Sequence, residues 1–166
     1  MSAPTINIEE NKKLFLDLVC SIERDGIKEL VAFLEKSDFF TAPASTRFHC
    51  SLPGGLALHS LNVYHMFEHK CKSEPFKSIL GDMPEDSRKI ITLLHDVCKT
   101  YMYEIDYKNK KIYSDTGSKK DEKGRFDWAA VEYYTVNDRV PYGHGEKSVM
   151  MIEEYIKLQP FERYAI

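Results

Sequence analysis

The residues best equipped for chemistry in this chain are histidines with a carboxylate and cations close by. Leu93-Leu94-His95-Asp96-Val97-Cys98-Lys99 sets an imidazole beside a carboxylate, with an ammonium three positions further on. His59 stands in Leu56-Ala57-Leu58-His59-Ser60-Leu61, and His144 in Tyr142-Gly143-His144-Gly145-Glu146-Lys147-Ser148. Arg47 and His49 lie just before Pro53-Gly54-Gly55, a turn whose glycines let the backbone approach a ligand closely. Imidazole and carboxylate groups partly dried by apolar neighbours suit a divalent cation. Such nitrogen and oxygen ligation favours Mn, Fe, Ni or Zn, with Mg admissible, over thiolate-bound metals.

Helices must position these groups. Pro84-Glu85-Asp86-Ser87 is a helix start, placing acidic and hydroxyl residues where backbone N–H groups lack partners. Ile90, Ile91, Leu94, Val97, Cys98 and Tyr101 then recur at helical period. The spacing predicts one amphipathic helix running through His95-Asp96, with Asp96 and Lys99 on the same face. His59 shares a face with Val63 and Met66 and is expected to point inward. Gly143-His144-Gly145 enters a third helix, whose free N–H groups suit an anion. Histidines on separate helices, each with an apolar opposite face, are the arrangement of a bundle converging on a metal.

Two tempting motifs fail. His65-Met66-Phe67-Glu68-His69 fits the H-x-x-E-H pattern of zinc peptidases, but its histidines project well around the helix from His59. His69-Lys70-Cys71-Lys72 also reads as a solvated helix end. Lys147-Ser148 resembles the end of a P-loop, yet Glu146 stands where that motif needs glycine.

Composition bounds the rest. With 166 residues the chain reads as one domain with a core of its own. It carries 23 basic and 26 acidic residues, net −3, so an anionic substrate must be held by a local cluster rather than a bulk polycation. Cys20, Cys50, Cys71 and Cys98 form no Cys-x-x-Cys pair, which suits reduced thiols in a cytoplasmic protein. Met1-Ser2-Ala3-Pro4 lacks the basic and apolar regions of a signal peptide, so none is expected, and no apolar run approaches the ~18 residues of a membrane span.

Along the chain, residues 7–10 cap a first helix whose Leu14, Leu18, Cys20 and Ile22 are expected to face inward. Asp25-Gly26 breaks it before a second helix buried through Ile27, Leu30, Val31, Phe33 and Leu34. Residues 101–107 alternate and Ile112-Tyr113 follows Lys-Asn-Lys-Lys, which predicts a hairpin turning at 108–111. Residues 115–125 read as a polar loop. Tyr133 and Tyr134 lie in a further short strand, as cross-strand pairs or as a base-stacking surface.

Three of these pieces, in this order, carry a resemblance: Gly54-Gly55-Leu56-Ala57-Leu58-His59, Leu93-Leu94-His95-Asp96-Val97-Cys98-Lys99, and Gly143-His144-Gly145-Glu146-Lys147-Ser148. Over about residues 47–158 the chain resembles the HD superfamily of metal-dependent phosphohydrolases. It is similar above all to small single-domain HD proteins of bacteria and their phages, and more loosely to the HD domain of a bacterial 3′–5′ exoribonuclease. The resemblance implies a mainly α HD-domain helical bundle with a small β-hairpin insertion. Its parts would be an N-terminal helical hairpin (1–44), metal-site helices (45–100), the insertion (101–140) and a His-bearing loop and helix (141–158). Metal would be bound by His59, His95 and Asp96, with His144 at a second position and Asp96 bridging. The family reaction is attack of metal-activated water on a phosphoester, here of a nucleotide or short oligonucleotide. Asp96 and Lys99 would be catalytic, and Lys99 and Arg47 would neutralise phosphoryl charge, with His49 and Lys147 also on the substrate side.

In one respect the sequence departs from that pattern. The family's closing aspartate belongs on a later helix, and no aspartate follows His144. Asp138 is the available stand-in. Residues 158–166 end on an apolar residue soon after a proline suited to opening a helix, which reads as a C-terminal truncation. A cut of that kind would uncover apolar surface and favour a homo-oligomer. The alternative expectation is a non-catalytic HD module that binds a nucleotide or a protein partner.

Overall fold

The computed structural model describes residues 6–166. Helix α1 (Ile8–Cys20) starts where Asn7 accepts a hydrogen bond from the Glu10 N–H at 3.1 Å, with Glu9 and Glu10 in the first turn. Its buried line is Phe15 and Val19, continued by Ile22 just beyond the helix, whereas Leu14 and Cys20, expected inside, face outward. The stripe is displaced by one residue because Phe15, and not Leu14, meets Phe39 and Phe40, at ring separations of 4.9 and 5.5 Å. Helix α2 (Ile27–Lys36) buries Ile27, Leu30 and Leu34 against it.

Helix α3 (Gly55–Cys71) is launched by the glycine turn. Gly54 holds φ at +78°, and a Cβ on Gly55 would fall inside the Cys50 carbonyl. The close approach made possible here is therefore to the chain's own 45–52 loop. After the short α4 (Lys77–Leu80), α5 (Glu85–Leu93) lies along α3, where Arg88 Nε meets Glu68 Oε1 at 3.0 Å. That pairing occupies the glutamate of the peptidase-like motif, whose two histidines are exposed.

The predicted helix through His95-Asp96 stops at Leu93. In a continuing helix the Thr92 carbonyl would take the Asp96 N–H. It faces His95 Nδ1 at 2.8 Å instead, and the Thr92 hydroxyl bonds back to the Arg88 carbonyl at 2.6 Å. His95 and Asp96 thus form a turn, followed by one turn of 3₁₀ helix (Val97–Lys99). Leu94, Val97 and Cys98 remain buried, so the periodic burial outlasts the helix that suggested it, while Tyr101 is exposed.

The insertion is longer and more regular than expected. β1 (Tyr103–Tyr113) runs straight through the predicted turn at 108–111 and pairs antiparallel with β3 (Gly124–Val136) along its whole length. β2 (Lys119–Asp121), inside the presumed loop, adds to β3, giving the order β1-β3-β2. Cross-strand pairing overrides the turn-like Lys-Asn-Lys-Lys composition. Both faces of this ribbon are largely exposed.

Helix α6 (His144–Glu153) returns to the helical body, burying Ile152 in the core with Leu56, Ile90 and Leu93. Helix α7 (Pro160–Ala165) opens with a capping box between Gln159 and Glu162. The Glu162 carboxylate is fully buried. It accepts from Ser87 Oγ at 2.6 Å, Arg24 Nη2 at 2.8 Å and the Gln159 N–H at 2.6 Å, joining α7 to α5 and to the α1–α2 connection. The chain is mainly α with one small antiparallel sheet, and among the described residues no helix is long and apolar enough to cross a membrane.

Burial pushes the Glu162 carboxyl up, but the hydrogen bonds from Ser87, Arg24 and Gln159 outweigh it and hold its pKa below the ordinary 4.5. The stability this carboxylate supplies is therefore present above that range and lost as pH falls through its lowered folded value. Glu162→Ala is expected to cost about 3 kcal/mol in urea unfolding at neutral pH, by leaving the Arg24 charge unpaired. Glu162→Gln is expected to flatten the acid limb of a stability-versus-pH curve.

Candidate metal centre

The site is built where α3 passes the turn after α5. His59, one turn into α3, presents Nε2 to His95 Nε2 at 3.3 Å and to Asp96 Oδ2 at 3.4 Å. The third side, His95 Nε2 to Asp96 Oδ2, is 3.3 Å. Three donors at the corners of a nearly equilateral triangle match what a single cation requires, since ligands held about 2.0–2.2 Å from one ion stand roughly 3.0–3.5 Å apart. Among the described residues these are the groups whose donors converge in this way. Asp96 is buried, and the two imidazoles are about one-fifth exposed, so the cluster is only partly open to solvent.

The orientation of His95 is fixed from behind. Its Nδ1 donates to the Thr92 carbonyl, which in the neutral ring leaves the Nε2 lone pair aimed at the centre of the triangle. Two imidazole nitrogens and a carboxylate oxygen held this way are a donor set that fits a divalent ion.

The electrostatics agree with that reading. Burial pushes His59 down to about 4, against the pull of Asp96, so its imidazole is neutral and able to ligate at neutral pH. Burial raises Asp96, but hydrogen bonds and charge from His95 and Lys99 win and keep it ionised far below the usual carboxylate range. Burial lowers His95, yet its bond to Asp96 leaves it raised overall. Of the three groups, His95 is thus the one whose protonation would compete most with a metal.

Lys99 sits on the same carboxylate oxygen, with Nζ 2.7 Å from Asp96 Oδ2 and 3.0 Å from the Ala44 carbonyl. The Ala44 carbonyl also accepts from the Tyr103 hydroxyl at 3.0 Å, a phenol whose pKa burial pushes up to about 12. The 45–52 loop, the 3₁₀ turn and the base of the ribbon therefore meet beside the triangle. His49 packs its ring 4.7 Å from that of His59, forming the rim, and Arg47 is exposed, near the ring of Phe48 and along a groove shared with Tyr134.

Other sequence candidates lie elsewhere. His144 does not join the triangle. It is exposed at the start of α6, and its Nδ1 is 3.6 Å from Cys98 Sγ. Asp138, the proposed stand-in, is paired with Lys147. Lys147 is buried in that pair rather than presented to a substrate. The expectation that three histidine-bearing helices converge reduces to one helix and one turn, because α6 packs on the far side of the 3₁₀ turn through Ser148 and the Cys98 N–H, at 3.2 Å. Thr92, Ala44 and Tyr103 were not singled out in the sequence. Only Thr92 left a signal, as a backbone acceptor one turn before a candidate ligand.

The chain matches no protein-family model, no curated protein and no solved structure.

Because Lys99 holds a positive charge against the ligand oxygen, Lys99→Met is expected to tighten Mn²⁺ binding by about tenfold in calorimetric titration. His59→Ala and His95→Ala are expected to abolish stoichiometric binding in the same measurement.

Proposed function

We propose that this chain is an HD-type metal-dependent phosphohydrolase acting on a phosphoester of a nucleotide or short oligonucleotide. The observation that carries the proposal is the triangle of His59, His95 and Asp96 donors with sides of 3.3–3.4 Å. A divalent transition metal held by that set, Mn, Fe, Ni or Zn with Mg admissible, supplies Lewis acidity toward a phosphoryl oxygen and lowers the pKa of water at neutral pH. The chain's own groups do the rest. Asp96 stays ionised and, with Thr92 behind His95, keeps both ring and carboxylate oriented. Lys99 is positioned to shift its ammonium from Asp96 toward anionic phosphoryl oxygens as they arrive. His49 at the rim and Arg47 in the adjoining groove are placed to bind the remaining phosphate or sugar of the substrate.

A second reading is favoured by one specific observation. Among the described residues three protein donors converge, with no further carboxylate beside them, and Lys99 already neutralises the one present. A non-catalytic HD module that binds a nucleotide or a protein partner is consistent with that economy. Metal analysis separates the two, because fewer than about one ion per chain under saturating Mn²⁺ or Fe²⁺ favours the binding module.

The enzymatic reading is tested with Mn²⁺, bis(p-nitrophenyl) phosphate and a nucleotide panel. Wild-type turnover is expected, with a loss of at least about 100-fold in His95→Ala. Equal turnover in the two proteins overturns it.

A further inference from the structure

The β-ribbon has a composition the metal centre does not explain. Residues of an antiparallel pair that stand opposite share a face, so Ile105 with Tyr134, Lys111 with Trp128 and Tyr113 with Phe126 lie on one side. The other side carries Asp106 opposite Tyr133 and Lys108 opposite Val131. On the aromatic side Ile105 is 56 % and Trp128 51 % exposed, although the helical body offers core for such residues elsewhere. The eleven-residue β1 makes this stripe about 35 Å long at ~3.4 Å per residue. Its base borders a groove of about 490 Å³ lined by Arg47, Pro53, Ile105 and Tyr134, in the loop that also carries His49 against His59.

Charge says what covers the stripe. Residues 108–125, the outer half of the ribbon, hold seven lysines and arginines against three acidic residues, net +4, within a chain of net −3. The rest of the molecule is therefore strongly acidic and the ribbon is its basic extremity. Lys111 lies over the faces of Phe126 and Trp128, 4.3 and 5.7 Å from their ring centres, and Lys119 stands opposite Phe126 on the same side. The exposed rings on this side are Tyr107, Tyr113 and Trp128, with Phe126 buried, and Lys111 is shared with Asp121 at 2.6 Å while Lys119 is exposed. Separated exposed rings interleaved with cations form a platform for bases with a track for their phosphates. A second copy stacked tip to tip would bring two like charges together.

We propose that the ribbon is an arm for single-stranded nucleic acid, which lays a strand along its aromatic face and into the groove beside His49. This makes an extended strand, rather than a free nucleotide, the substrate class of the metal centre, and to that extent it rests on the phosphohydrolase reading. Binding by the arm itself needs no metal.

The chain has one tryptophan, Trp128, which makes its emission a local reporter. In EDTA, oligouridylate or oligothymidylate is expected to quench it saturably, with an affinity that falls steeply with salt. Uridine monophosphate is expected to bind at least 100-fold more weakly, and the same sequence as a duplex at least about tenfold more weakly. By anisotropy of a labelled strand, Trp128→Ala is expected to weaken binding about tenfold. On the aromatic side, Lys111→Gln with Lys119→Gln is expected to weaken it similarly and to reduce the salt slope by more than one, whereas Lys108→Gln with Lys110→Gln on the opposite side is expected to change it less. Thermal melting of these variants excludes unfolding as the cause. Quenching by heparin as strong as by the strand, a response to phosphatidylglycerol vesicles instead, emission that changes with protein concentration alone, or no saturable quenching overturns the proposal. Retained strand binding by His95→Ala supports it. A protein that binds strands yet hydrolyses nothing removes the enzymatic reading and leaves the arm in place, and one that hydrolyses small phosphodiesters without binding strands does the reverse.

Discussion

Oδ2 of Asp96 is the point on which the molecule's candidate chemistry turns. Two imidazole nitrogens and an ammonium stand within 3.4 Å of this one atom, contributed by a helix, a turn and a 3₁₀ segment. Bringing His59 to that oxygen requires α3 and α5 to lie side by side, which the Arg88–Glu68 pair and the shared core of Leu56, Ile90 and Leu93 enforce. It also requires α5 to stop. Had the helix continued, successive residues would point about 100° apart around the axis, and neighbouring side chains at positions 95 and 96 could not both aim at one spot.

Termination and ligand orientation are therefore one event. The Thr92 carbonyl, withheld from a helical partner, becomes the acceptor that steers His95. A side chain that ends a helix by capturing its last free carbonyl is simultaneously fixed in rotation, so little conformational freedom remains to be lost when a ligand arrives. The Lys99 ammonium keeps this buried carboxylate compensated.

The helical parts were legible in the sequence because burial writes itself as period. Asn7 as a cap, the break at Asp25-Gly26 and the inward set Ile27, Leu30 and Leu34 all follow from local rules. The end of α5 was hidden because Leu94, Val97 and Cys98 stay buried whether the backbone is α or 3₁₀, the two periods differing little over one turn. The ribbon's length was hidden because Lys-Asn-Lys-Lys looks like a turn until a partner strand thirteen residues long is known to face it. Histidine, aspartate and lysine at positions 59, 95, 96 and 99 could be picked out by type and spacing. The misplacement of His144 and Lys147 had a single cause, since nothing local tells which side of the 3₁₀ turn α6 will take.

The Glu162 carboxylate reaches Ser87 across 75 positions of sequence and Arg24 across 138. A ribosome delivers the chain from its N-terminus, so Arg24 and Ser87 emerge long before the group that satisfies them. Until then α5 and the α1–α2 connection present a cation and a hydroxyl with no acidic counterpart, and the helical body stays open along that seam. Closure of this seam is thereby tied to the emergence of α7, which acts as its latch.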